Sequence, residues 1–378
     1  MTLRAPLVEL APPDDVHLER ARRIAHEGWG QVHPNPMVGC VLVKDGQVVA
    51  EGYHEVFGGP HAEAVALARA GAAAEGSTAF VSLEPCNHHG KTPPCSQALF
   101  EAGVRRVVFG ARDPGAVSGG GAAALREAGV DVIGPVWDEE ASRSENPSFF
   151  HPAHCDQPFV ALKLAMSLDA RIAAAPGRRT RITGTETERE VHRIRTGFDG
   201  VMVGQGTVLA DDPRLTPRLA HAGRKPHHRI LLLPGADLRL DAAVLEDVDR
   251  HPVHVFCLEG ASDAACRRLR ERGVAVHPVV GDPGREGFLD LRAVLSRCRD
   301  LGLTSVLCEG GAELAGSLLR DGLIDRLYLL IAPHALGADG VPAFADDADG
   351  VPWERYGLAF PPTALGPHTL ITLDRRAD

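Results

Sequence analysis

Hydrophobic and polar positions along the first 150 residues switch repeatedly between helical and strand spacing. Residues 16–25 read as an amphipathic helix, with Asp14 and Asp15 ahead of it as the cap. Apolar runs at 37–43 and, after the turn Lys44-Asp45-Gly46, at 47–51 predict strands. A helical pattern opens at His61 (Ala64, Leu67, Ala68) and stops at Gly71. The run 79–83 predicts a strand, Pro93 and Pro94 suit the start of a helix that 97–100 continue, and strands at 105–109 and 130–133 flank a helix through 125–128. Strands alternating with helices predict an α/β sheet covered on both faces. Residues 146–158 change character, with a helix ending and polar and proline residues following. A linker at 151–157 between domains at 1–150 and 158–378 is predicted. Beyond it, strands begin at Phe159, Val201, Arg229 and Val306, and the last runs into the tight turn Glu309-Gly310-Gly311 and a helix over 312–319.

Composition narrows the class. At 378 residues, two domains are expected, and 44% hydrophobic content supplies a core for each. The net charge of −10 comes with no lysine- or arginine-rich run, which counts against nucleic acid. Eight irregularly spaced cysteines and no signal-like apolar start predict a reducing cytoplasm. No apolar run approaches the roughly 18 residues of a membrane span.

The candidate chemistry is concentrated between His61 and Cys95. His61-Ala62-Glu63 is followed by Glu84-Pro85-Cys86, and then by Cys95. A histidine and two cysteines are ligands zinc prefers, and a catalytic zinc keeps a position open for water. Glu63, two residues past the histidine, is placed to move protons. This is the arrangement of zinc nucleobase deaminases, except that their cysteines are separated by two residues and these by eight. His61 and Cys95 are expected at two helix starts, where the dipole favours thiolate over thiol, and Cys86 in a loop after a strand. The alternative, unconnected core residues, fits the combination poorly. Asn35, between Pro34 and Pro36, reads either as a plain turn residue or as an amide held to pair with a heterocycle edge.

These segments, with His33-Pro34-Asn35-Pro36-Met37-Val38-Gly39 and Gly52-Tyr53-His54, resemble the deaminase domain of the bifunctional riboflavin-biosynthesis deaminase–reductases, whose ligand loop is long. The resemblance implies one zinc on His61, Cys86 and Cys95, Glu63 as proton shuttle, and substrate contacts from Asn35, His54, His88 and Lys91. It departs at 115–121, where the usual segment after Asp-Pro is shortened.

In the second half, two glycine turns after apolar strands, Gly204-Gln205-Gly206-Thr207 and Glu309-Gly310-Gly311, would let a phosphate approach backbone N–H groups. With the segment 163–172 they resemble the reductase domain of the same family, although the likeness thins between about 236 and 300. It implies NADPH on Ala165, Arg181, Thr207, Asp211 and Gly311, and a ribosyl phosphate on Arg195, Leu215, Arg218 and Glu309. Arg181 stands where the family often has tryptophan, Ala170 where it has glycine, and Pro234 where it has serine. An arginine at 181 would lie against a ring or attract the 2′-phosphate.

The resulting expectation is a cytidine-deaminase-like three-layer α/β/α domain joined to a dihydrofolate-reductase-like α/β domain. The enzyme would deaminate a pyrimidine ribosyl phosphate and then reduce its ribosyl chain, working in the cytoplasm as a homo-oligomer of two or four chains, without membrane or nucleic acid. Two alternatives stay open: a single-activity nucleobase deaminase whose second domain is degenerate and only binds ligand, and a non-catalytic binding protein.

Overall fold

The computed structural model describes residues 7–88, 93–153, 155–178, 180–218, 226–344 and 353–376. Two compact units divide between residues 154 and 155. The chain stays helical through Ala153, and Asn146 is buried, exchanging hydrogen bonds with the backbone of Met37 at 2.7 and 3.0 Å. Asn146 therefore belongs to the first unit, and the linker composition begins before the unit ends.

The first unit contains helix α1 (Asp14–Ala25), strands β1 (Gly39–Lys44) and β2 (Gln47–Tyr53), helix α2 (Ala62–Ala70), strand β3 (Thr78–Leu83), helix α3 (Cys95–Glu101), strand β4 (Arg106–Ala111), helix α4 (Gly121–Glu127), strand β5 (Asp131–Ile133) and the short helices α5 (Glu139–Glu145) and α6 (Pro147–Phe150). Sheet order is β2-β1-β3-β4-β5, antiparallel at the β2 side and parallel from β3 onward. Alternate residues feed two cores. Cys40, Leu42, Ala79, Val81 and Val107 pack with α2, α3 and α4, while Val41, Val43, Phe80 and Val108 pack on Leu18 and Ala21 of α1. Strands buried on both faces read as continuous apolar runs because each face has its own helices. The cap of α1 departs from expectation: Asp14 and Asp15 lie inside the first turn and no side chain caps the helix. Asp14 instead pairs with Arg106 at 2.7 Å.

The second unit contains β6 (Phe159–Ser167), β7 (Arg171–Ala173), α7 (Thr185–Thr196), β8 (Gly200–Gly204), α8 (Gln205–Asp211), β9 (His228–Leu232), β10 (Val253–Leu258), α9 (Asp263–Glu271), β11 (Ala275–Val279), α10 (Leu291–Asp300), β12 (Ser305–Cys308), α11 (Ala312–Arg320), β13 (Arg326–Ala332), β14 (Val341–Pro342), β15 (Tyr356–Leu358), β16 (Thr363–Leu365) and β17 (His368–Arg375). Its main sheet runs β11-β10-β9-β8-β12-β6-β13-β17-β15, with β16 also on β17. The strands are parallel from β11 to β13 and antiparallel beyond. The chain winds outward from β8 to β11, then returns to set β12 between β8 and β6. Such a reversal opens a crevice at the carboxyl ends of the strands.

Candidate active sites

In the first unit, His61 is the N-cap residue of α2 and Glu63 lies buried in the first turn. Close packing fixes this helix start: a Cβ on Gly52 would fall 2.5 Å from Ala62 O and from Ala66 N, so only glycine lets β2 approach α2. Cys86 follows β3, and Cys95 opens α3 with Pro94 as its N-cap residue. His61 Nδ1 lies 3.2 Å from Cys95 Sγ and 3.5 Å from Cys86 Sγ, and the three donor atoms fall within 4.8 Å of one another. Zinc bonds of about 2.3 Å to sulfur and about 2.0–2.1 Å to nitrogen, set tetrahedrally, require donors about 3.6 Å apart.

The electrostatics agree. A hydrogen bond from the Cys95 thiol, followed by His61 and the Cys95 backbone N–H at 3.4 Å, holds the Cys86 thiol well below the usual thiol range. The same sulfur–sulfur hydrogen bond, with burial, pushes Cys95 up. Two thiols sharing one proton beside an imidazole become two anionic sulfurs and a neutral nitrogen once that proton leaves, a donor set suited to zinc. Burial first, then the Cys86 thiolate, pushes the Glu63 carboxyl up to about 7.

Around this cluster, His54 is buried and its ring sits 5.6 Å from that of His61. Its Nδ1 donates to Pro60 O at 2.9 Å, so Nε2 accepts from Asn35 Nδ2 at 3.1 Å. Burial lowers the His54 pKa, which keeps the ring neutral in this relay. Asn35 is a turn residue, its backbone N–H closing on Val32 O, and its side-chain nitrogen bonds His54. His88 is half-buried, with Nδ1 lacking a hydrogen-bond partner among the described residues. Lys91 lies outside the described residues.

Sequence reasoning left Glu84 without a role. Its buried carboxylate accepts from Asp113 N at 3.3 Å and Ala122 N at 3.1 Å, tying the altered 115–121 segment beneath the Cys86 loop. A Cβ on Gly121 would fall 1.8 Å from Pro85 O, so the shortened loop docks backbone to backbone. A carboxylate closing an apolar strand run, two residues before Cys86, was the available signal.

In the second unit, Lys163 of β6, Arg195 of α7 and Glu309 after β12 converge. Arg195 grips both Glu309 oxygens through Nε and Nη2, its Nη1 donates to Thr216 O at 3.3 Å, and Lys163 Nζ lies 3.1 Å from Glu309 Oε2. Burial alone would raise the Glu309 pKa, but Arg195 and Lys163 outweigh it and hold the carboxyl well below its usual range. Lys163 was not singled out as a site residue. A lone lysine inside an apolar strand run was the clue, because a charge there needs a partner.

The triad lines a cavity of about 780 Å³ that also takes in Ala165, Arg181, Leu215 and Arg218. Leu215 is buried with φ of 58°, an uncommon strain for a bulky residue that recurs at functional sites. An adjoining cavity of about 880 Å³ is lined by the Gly204–Thr207 turn, Pro234 and the start of α11. Thr207, Asp211 and Gly311 line both. Arg181 belongs to the first-described cavity, with its guanidinium 2.9 Å from Glu188.

Comparison with known proteins gives both units relatives. Residues 158–353 match the RibD C-terminal domain, and residues 13–111 match the cytidine and deoxycytidylate deaminase zinc-binding region. The chain is 39% identical to the Escherichia coli riboflavin biosynthesis protein RibD over 332 residues, covering 86% of this chain and 89% of the relative. Against the Mycobacterium tuberculosis RibD the identity is 38%, over 85% of each. The solved Acinetobacter baumannii RibD superposes with TM-score 0.77 at 33% identity, covering 96% of this chain and 99% of that one. A deaminase/reductase from Thermotoga maritima gives TM-score 0.75 at 32% identity, covering 96% and 98%. Zinc and NADPH are the two cofactors, one for each unit. The chain belongs to the RibD family, bifunctional deaminase–reductases of riboflavin biosynthesis.

Proposed function

We propose that the first unit hydrolytically deaminates a diaminopyrimidinone ribosyl phosphate and that the second reduces the product's ribosyl chain to ribityl with NADPH. The Thermotoga relative is described as a diaminohydroxyphosphoribosylaminopyrimidine deaminase/5-amino-6-(5-phosphoribosylamino)uracil reductase. The observation that carries the reading is that one chain keeps both a buried carboxyl beside a His/Cys/Cys set and a charged triad beside two glycine turns.

In the deaminase, His61 Nδ1, Cys86 Sγ and Cys95 Sγ are the proposed zinc ligands. When bound, zinc supplies the Lewis acidity that makes water a nucleophile near neutral pH. Glu63 takes the proton from the attacking water and passes it to the departing ammonia. Burial raises its carboxyl pKa, which favours taking a proton from water. Asn35 spends an amide hydrogen on His54, which leaves its Oδ1 to accept from a substrate N–H. His88 and Lys91 are proposed as further substrate contacts.

In the reductase, Thr207, Asp211, Gly311 and Ala165 are proposed to hold NADPH, and Arg195, Arg218, Leu215 and Glu309 the ribosyl phosphate. Glu309 positions Arg195 and Lys163, and the arginines supply charge and fork geometry for phosphate oxygens. Arg181 adjoins Thr180, which lines both cavities, so the ring-side role fits it better than the 2′-phosphate.

No helix among the described residues is long and apolar enough to cross a membrane. We also propose a cytoplasmic homo-oligomer of two or four chains. All eight cysteines are free thiols, which supports a reducing compartment. Light scattering would measure the assembly. The function is tested by incubating purified protein with the diaminopyrimidinone ribosyl phosphate and reading products by mass spectrometry. Exchange of amine for carbonyl without NADPH, and further uptake of a hydride and a proton with it, are expected. Deamination with no reduction at any NADPH concentration would return the single-activity alternative.

A further inference from the structure

Five residues, Ile172, Thr180, Thr207, Asp211 and Gly311, line both cavities of the second unit. With cofactor in one cavity and substrate in the other, this shared end is where hydride donor and acceptor would meet. The larger cavity then runs past β9 toward the loop after β11, along Leu232, Pro234, Asp282, Phe288, Leu289 and Ser317. A dinucleotide whose nicotinamide occupies the shared end has this remaining wall for its adenosine half.

The chemistry of that wall is specific. Phe288 presents an aromatic ring. The Arg285 guanidinium carbon sits 3.7 Å from the centroid of that ring, and Arg285 Nη1 donates to Ser317 Oγ at 2.8 Å. Arg285 is thereby clamped between two residues that line the cavity. Pro234, on the same wall, has neither an N–H nor a polar side chain to offer a phosphate. The Asp282 carboxylate is already occupied, with Oδ2 3.0 Å from Arg320 Nη2 and Oδ1 accepting from Gly284 N at 2.8 Å.

We propose that Arg285, seated on Phe288 and tied to Ser317, reads the 2′-phosphate of NADPH and so sets the preference for NADPH over NADH. The assignment rests on the larger cavity being the cofactor site. A guanidinium offers a phosphate two parallel donors, and its stacking on Phe288 limits the rotamer freedom that binding would otherwise remove. The 2′-hydroxyl of NADH offers no charge to match it.

Equilibrium titration of the whole protein with NADPH, with NADH and with 2′,5′-ADP, followed by calorimetry, tests this without turnover. Arg285→Ala should weaken NADPH and 2′,5′-ADP roughly ten- to a hundredfold while leaving NADH unchanged. Arg285→Lys should fall between. Unchanged NADH affinity doubles as the check that the variant is folded. Arg178, which lines the cavity itself where Arg285 stands behind Phe288 and Ser317, is the control. If Arg285→Ala keeps the wild-type preference, or Arg178→Ala alone abolishes it, Arg285 is not the reader. Binding of neither dinucleotide to wild type would instead overturn the cofactor site itself.

Discussion

The two sites of this chain are assembled in opposite ways. The deaminase cluster spans 35 residues of sequence, from His61 to Cys95, with His61 and Cys95 at two helix starts and Cys86 in the loop between β3 and α3. The reductase triad joins Lys163, Arg195 and Glu309, up to 146 positions apart, because the chain winds outward and then brings β12 back between β8 and β6. The first is a motif that needs local geometry. The second is a product of topology, and its charges are held in place by one another. Perturbing them should therefore fail in different ways.

The largest effect is expected in the deaminase. Cys95→Ser should lose zinc, measured by elemental analysis, and with it all detectable deamination. Glu63→Gln should keep zinc yet lose deamination by at least about 10²–10⁴-fold, because an amide cannot carry the proton. Both variants should still reduce the deaminated substrate supplied from another source. Parallel loss of reduction would mean that the sites are not independent.

In the reductase the comparison predicts a loss of stability as well as activity. Glu309→Gln leaves two cations without their counter-charge, a change that costs about 3–5 kcal/mol when a buried pair is broken. It should lower the melting temperature of the second unit and abolish reduction while sparing deamination. The pH dependence has a definite sign. A carboxyl held below its usual range stabilises the fold above the unfolded-state pKa of about 4.3 and loses that contribution as pH falls through the folded value. Wild type should thus lose stability in acid more steeply than Glu309→Gln, as pH-dependent denaturant titrations would show. Equal acid limbs would remove the triad from the account.

The smallest effect concerns a departure with a local cost. Ala170 takes φ of 55°, a left-handed conformation that glycine adopts freely. Ala170→Gly should raise stability by about 0.5–1 kcal/mol, the relief of strain exceeding glycine's added unfolded-state entropy. A fall in melting temperature would show that the local backbone favours alanine.

Much of the first unit was legible because each of its requirements is short-ranged. The alternation of Val41 and Val43 with Cys40 and Leu42 already encodes a sheet with two covered faces. His61, Glu63, Cys86 and Cys95 announce a donor set whose chemistry allows few uses. Sequence alone could not pair Asn35 with His54, show Glu84 anchoring the altered loop, or rank Arg181 against Arg285. Two arginines in a row of letters carry the same charge, and only packing sets Arg181 on a cavity wall and stacks Arg285 on Phe288. The sequence by itself determined most elements of the first unit and the candidate His61, Cys86 and Cys95 set with its neighbouring carboxyl, since spacing along one helix or one loop suffices for them. The tertiary structure decided the Lys163–Glu309–Arg195 triad and the two adjoining cavities, since contacts between distant strands depend on sheet order, which no local pattern records.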